Sequence, residues 1–253
     1  MVNCAAAWLT FLCSNLPSSM AVSVRNLTIP LSLFIVLQIG LFSSGAFALM
    51  DFSNIAALTG MLVFLFYSSK LKGRFHKRIC SGLLVTLIGY GYYALTGNRY
   101  VDLFPSMLFF LLPKLFFISA FYLDFRSAPE LDKRGARIAI ALAFLLSLAY
   151  YLSLRAHLGI LKLPVMIGVF TSSLMFMMAY FRNLRVNPQS FRMVLAGVLL
   201  YMFGEGLSAY NSFAQPITGA VLIYSISLLT GLYLISLGAI SRTLLHGEAN
   251  RPG

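Results

Sequence analysis

Two ionisable side chains stand well inside long apolar runs of this 253-residue sequence. Lys114 lies in Leu111-Leu112-Pro113-Lys114-Leu115-Phe116, and Glu205 in Met202-Phe203-Gly204-Glu205-Gly206-Leu207. An ionised group in hydrocarbon costs at least ~2.5–3.5 kcal/mol, so each must have a partner or a task. Together they can form an internal pair that only fixes packing, line a polar cavity, or relay a proton. Tyr90 joins them, in Leu87-Ile88-Gly89-Tyr90-Gly91-Tyr92-Tyr93-Ala94. Tyr90 and Glu205 are each the centre of a Gly-X-Gly, with Ala94 and Ala209 four residues on. That match is what a parallel four-plus-four duplication gives. Close helix packing is the plainer use of such glycines.

No richer catalytic set is visible. Cys4, Cys13 and Cys80 are odd in number, and their spacing fits neither a zinc site nor a disulfide scaffold. His76, His157 and His246 fall in loops or tails and are expected to be solvated. HExxH, P-loop and GxSxG patterns are missing, and no metal or other cofactor is expected.

The elements that must position these residues follow from composition. Apolar residues make up 59% and charged residues 10%, with a mean hydropathy of +0.85. A soluble domain carries about a quarter charged residues, so soluble and disordered classes fit poorly. The net charge of +12 would suggest nucleic acid in a soluble chain. Here the basic residues sit between apolar runs, so the expected partner is an anionic lipid surface and not nucleic acid.

A spanning helix needs about 20 apolar residues. Eight runs qualify, at about 30–49, 52–69, 79–96, 103–123, 136–154, 163–181, 191–211 and 217–240. They are continuous and do not alternate, which excludes a membrane β-barrel. The expected fold is therefore all-α, a polytopic bundle of eight transmembrane helices. Residues 1–29 form an N-terminal tail, 30–240 the membrane domain and 241–253 a C-terminal tail. Met20 is an alternative start. Alternating the loops puts fifteen Lys and Arg on one side, eleven of them from Lys70 to Arg185, and only Arg99, Arg155 and Lys162 on the other. By the positive-inside rule both termini face the cytoplasm.

Depth follows from a rise of ~1.5 Å per residue. Glu205 lies about six residues below the outer end of its span, or ~9 Å down, and Lys114 about eleven residues, or ~16 Å. A lysine stem can snorkel several Å, so the two heads can meet. Asp51, Asp102 and Asp124 read as span boundaries. Pro113 is expected to loosen its helix. Tyr92, Tyr93, Tyr100, Tyr150 and Tyr151 read as an interfacial belt. Tyr201 and Tyr224 lie deeper and could line a cavity, with a packed core place the plainer reading.

At these residues the sequence resembles the YhhN, or lysoplasmalogenase, family. The segment from Ala196 to Phe213 is similar to the family's Gly-Ala-Leu-Leu-Phe-x-x-Ser-Asp-x-x-Leu-Ala-x-x-x-Phe. The stretch from about 80 to 123 resembles its Gly-Leu-x-x-x-x-x-Gly-Asp and following span. Tyr233-Leu234-Ile235-Ser236-Leu237-Gly238 resembles the closing Tyr-Leu-Ile-x-x-Gly. The resemblance covers about residues 30–240. It implies an integral membrane hydrolase seated in a bacterial inner membrane. It further implies cleavage of the vinyl-ether bond of a single-chain ether phospholipid, giving a fatty aldehyde and a glycerophospho-alcohol.

Such a reaction protonates a carbon, passes through an oxocarbenium-like cation and adds water, which calls for an acid and a stabilising anion. The resemblance makes Glu205 the acid or base, with Tyr90 and Lys114 orienting the lipid or its phosphate. The departures are specific. Tyr90 stands where the family has its third-span acid, Glu205 replaces Asp, Lys114 replaces a His, and the Tyr-x-x-Gln of the last span is absent. A cationic Lys114 opposes an oxocarbenium ion and holds Glu205 ionised. A non-catalytic lipid-binding or sensing relative is therefore the alternative, and a small proton-coupled transporter the weaker one.

Overall fold

The computed structural model describes residues 18–71, 73–96, 103–127 and 133–245. The expectations that fall on Met1–Pro17, Arg99, Tyr100, Asp102, His246 and Arg251 lie outside them. The described chain is helical throughout: α1 Ser18–Ser43, α2 Phe47–Ser69, α3 Arg74–Thr96, α4 Leu103–Phe125, α5 Lys133–Arg155, α6 Lys162–Tyr180, α7 Pro188–Phe213 and α8 Ala220–Ile240. It divides into two compact units, one ending at Ala46 and holding α1, the other running on from Phe47.

Seven helices are long and apolar enough to cross a membrane, and α1 contributes an apolar stretch at Leu31–Ser43. Large apolar side chains such as Phe144, Ile160 and Phe170 are exposed. A soluble fold would bury them, whereas a bilayer covers them. The protein is an integral membrane protein.

The first break differs from the expected one. The run 30–49 reads as one span, but the chain turns at Ser43–Ala46, with Gly45 at a φ of 72°, a left-handed conformation that glycine adopts freely. Asp51 is therefore not a boundary residue. It lies one turn inside α2. The last break falls where expected. Asn211 stays in α7, its side-chain oxygen accepting from the Ile217 amide at 2.7 Å, and Gly219 turns the chain into α8 at a φ of 78°. Pro113 is accommodated within a continuous α4.

The two halves repeat. Helices begin at Ser18, Phe47, Arg74 and Leu103, and again at Lys133, Lys162, Pro188 and Ala220. The offsets are 115, 115, 114 and 117 residues. At an offset of 115, Gly82 and Gly89 of α3 correspond to Gly197 and Gly204 of α7, and Tyr90 to Glu205. Packing repeats too: α3 lies on α4 as α7 lies on α8, and α2 on α8 as α6 on α4. For α2–α4 and α6–α8 this is the parallel repeat that the paired Gly-X-Gly strings suggest.

The first glycine of each string, Gly89 or Gly204, is a close-approach position, whereas Gly91 meets nothing within 4 Å and Gly206 meets the Tyr150 ring at ordinary contact distance. Where α7 meets α8 the backbones nearly touch, and a Cβ on Gly197 would stand 2.6 Å from the Gly231 carbonyl oxygen. Gly197→Ala is expected to cost about 1–3 kcal/mol. Gly60→Ala meets nothing within 4 Å and should be neutral or slightly stabilising, since alanine suits a helix better by about 0.5–1 kcal/mol. Thermal melts of the two variants in detergent check this. Equal melting temperatures would show that the α7–α8 contact is not tight.

Four helix ends are tied together by buried charge. Asp124, at the end of α4, accepts from Arg182 Nε at 2.7 Å and from Arg242 Nη2 at 2.6 Å. Arg182 also donates to Ser190 Oγ at 3.0 Å. Phe75 lies against both guanidiniums. Asp124 and Arg182 are both 0% exposed, so neither Asp124 as a boundary residue nor Arg182 and Arg242 as solvated topology signals describes them fully. Burial lowers the Arg182 guanidinium from its usual value, and the Asp124 carboxylate opposes that shift. His76 is not a free loop residue. It lies in the first turn of α3, with Nε2 3.0 Å from the Ala239 carbonyl oxygen. After α8 the chain runs back along the α6–α7 turn: Asn187 N donates to Thr243 O at 3.0 Å and Leu245 N to Arg185 O at 3.0 Å.

Candidate functional site

A cavity of about 810 Å³ occupies the other end of the second unit. Its walls come from the ends of α2–α8 remote from Asp124. Thr86, Tyr90 and Tyr93 contribute from α3, and their counterparts at the 115-residue offset, Tyr201, Glu205 and Ser208, from α7. Phe109 and Phe110 of α4, Tyr150 of α5, Ser172 of α6, Tyr224 of α8 and Asp51 of α2 complete it. Most of the lining is apolar or aromatic, with a few polar groups directed inward, as in a pocket for an amphipathic ligand.

The floor is built around Glu205. Eight residues separate it from the end of α7, which places it ~12 Å deep. Its Oε2 lies 2.8 Å from Lys114 Nζ, and the Tyr201 hydroxyl interacts with the same carboxyl. Lys114 is 0% exposed and does not line the cavity. Its ammonium donates to Ser172 Oγ at 2.9 Å and stands 3.4 Å from the centre of the Phe110 ring. Carboxylate, hydroxyl and ring face therefore take up its charge from three directions. Lys114 follows Pro113 on an α4 that packs on both α3 and α6.

The three residues singled out by sequence thus come to one place. Tyr90 and Glu205 face the cavity, while Lys114 lies behind the floor and fixes Glu205. Lys114 Nζ is turned to Glu205 and Ser172, both of which line the cavity. Tyr201 and Tyr224, read as packed core, line the cavity. So do Tyr93 and Tyr150, read as interfacial belt, and Tyr150 donates to the Gly206 carbonyl at 2.8 Å. Depth along a span cannot tell a lipid-facing tyrosine from a cavity-facing one. Asp51 and Ser172 are additions. Asp51 was hidden by its apparent place at a span boundary, and Ser172 by being one of several hydroxyls in apolar helices.

A sequence profile of the YhhN family matches residues 52–239. No curated protein and no solved structure matches the chain.

Proposed function

The chain belongs to the YhhN family, and from that premise we propose that it hydrolyses the vinyl-ether bond of a lysoplasmalogen-type, single-chain lipid in the cavity above Glu205. The observation that carries this reading is a carboxyl group, anchored by Lys114 at 2.8 Å, on the floor of an apolar cavity of about 810 Å³. That volume lies within the ~300–1,000 Å³ range of ligand pockets. The apolar walls suit a hydrocarbon chain. Glu205, which lines the cavity with Lys114 behind it, offers a carboxyl group to the cation that forms when the vinyl ether is protonated. Tyr90 and Tyr201 orient the reacting bond, and Lys114 acts by positioning Glu205.

The Lys114–Glu205 pair also favours a second reading, because a carboxylate already neutralised can serve lipid binding without chemistry. In both readings the end rich in Lys and Arg faces the cytoplasm, both termini with it, and contacts anionic lipid. The cavity opens toward the opposite leaflet of what we take to be a bacterial inner membrane.

The test uses purified full-length protein and a vinyl-ether lysolipid. Wild type is expected to release fatty aldehyde, and Glu205→Gln to reduce the rate by about 10²–10⁴-fold. Lysolipid bound by wild type with no aldehyde formed selects the binding reading.

A further inference from the structure

The cavity has a closed floor and an open side. Beneath Glu205, Lys114 and Phe117 are fully buried, and the Phe117 and Tyr201 rings meet edge to face with centres 6.3 Å apart. Lining the cavity does not by itself expose a side chain, since Glu205 and Tyr201 line it and are buried. Leu146 of α5 and Leu199 and Phe203 of α7 line it too, yet they are 60%, 45% and 56% exposed. At these three residues the cavity wall is also the lipid-facing surface. We infer that the seam between α5 and α7 is a binding site for the hydrocarbon chain of the lipid held in the cavity, and that the chain leaves the bundle there for the bilayer. The inference rests on the single-chain lipid reading above, whether or not that lipid is cleaved.

The seam follows from how α5 is held. This helix packs along α6 and touches α7 only sparingly. Small buried residues, Ala136, Ala139 and Ala143, form its packed stripe, and Ser147 bonds to Ser173 of α6. Across the seam the Tyr150 hydroxyl donates to the Gly206 carbonyl at 2.8 Å, which closes the outer end. One turn inward, Leu146 and Phe203 follow on the same faces of α5 and α7, and Leu199 follows a further turn inward on α7. Below the Tyr150 bond the seam is thus edged by apolar side chains.

The length of the ligand calls for such an exit. The hydrocarbon core is about 30 Å thick, so a lipid chain spans roughly 15 Å of one leaflet. A lipid whose ether end lies at Glu205 must carry that chain onward past the carboxyl, and the floor blocks the straight path. Phe203 and Leu199 lie two and six residues inward from Glu205 on α7, or ~3 and ~9 Å deeper. The chain can therefore turn aside beneath the Tyr150–Gly206 bond and lie along Phe203, Leu146 and Leu199 toward the centre of the bilayer. No polar group is stranded by this path, and the exposed apolar edge is covered by more hydrocarbon.

The experiment uses full-length protein in phosphatidylcholine vesicles and two photoreactive forms of a saturated hexadecyl-ether lysophospholipid, which has no vinyl ether to cleave. One carries a diazirine at the chain end, the other beside the ether. Labelled residues are mapped by mass spectrometry, and only label displaced by excess unlabelled lysolipid is counted, which removes the bulk-lipid label expected on exposed residues such as Phe144 and Phe170. Displaceable label is expected at Leu146, Leu199 and Phe203 from the chain-end probe, and on the cavity wall near Tyr224 from the ether probe. The double variant Leu146→Trp with Phe203→Trp narrows the seam at exposed positions and is expected to raise the lysolipid concentration that displaces half the label by about tenfold or more. Chain-end label confined to the inner wall at Tyr90 and Tyr224 overturns the inference and leaves the lipid reading intact, because the chain is then coiled inside the cavity. Unchanged displacement in the double variant also overturns it. No displaceable label from either probe removes the lipid reading and this inference with it.

Discussion

Lys114→Met is expected to destabilise the protein by about 3–5 kcal/mol, because it leaves Glu205 as a buried charge without its counterion. Glu205 is 5% exposed and Lys114 0%, so water cannot take the ammonium's place. Methionine fills much of the lysine stem's volume, which confines the effect to charge. The double variant Lys114→Met with Glu205→Gln should recover most of the loss, since removing both charges removes the unpaired one. Denaturant or thermal unfolding of the single and double variants in detergent measures the coupling, with about 2–4 °C expected per kcal/mol for a chain of this size. Additive losses in the double variant would mean that the two heads do not depend on each other.

The second large effect lies at the other end of the bundle. Asp124→Asn keeps the shape of the side chain but removes the negative charge from between two guanidiniums, held at 2.7 Å by Arg182 and 2.6 Å by Arg242. Arg182 is completely buried. Its uncompensated charge is expected to cost about 3–5 kcal/mol. Arg242 is 17% exposed and can turn toward water, so Arg242→Met should be milder than Asp124→Asn. Melting temperatures rank the two, and a fall of less than about 2 °C for Asp124→Asn would refute the proposed role of this cluster.

These two clusters were unequally legible in the sequence. Lys114 and Glu205 announce themselves because a charge in an apolar run is expensive, and the cheapest remedy is another such charge at matching depth. Tyr90 followed from the repeated glycine string. The Asp124 cluster hid among residues whose charge already had an explanation. Arg182 and Arg242 fit the loop count, and nothing in one sequence separates an arginine that marks a boundary from one that folds back into the bundle. Asp51 was obscured by Ser43-Ser44-Gly45. These small residues scarcely interrupt an apolar window, so the break seemed to fall at the first charge beyond them. The aromatic lining was invisible for a geometric reason. Rotation about a helix axis decides which way a tyrosine faces, and it depends on partner helices that are distant in sequence.

The 115-residue offset bears on how such a molecule could be assembled from subunits. Lys114 corresponds to Leu229 and Glu205 to Tyr90, so each half supplies one member of the central pair and an uncharged residue at the complementary place. Two copies of the N-terminal half would set Lys114 against Tyr90, and two copies of the C-terminal half would set Glu205 against Leu229. Either homodimer would strand two like charges in hydrocarbon. Covalent fusion is what lets the halves specialise, and it makes each one the obligate electrostatic complement of the other.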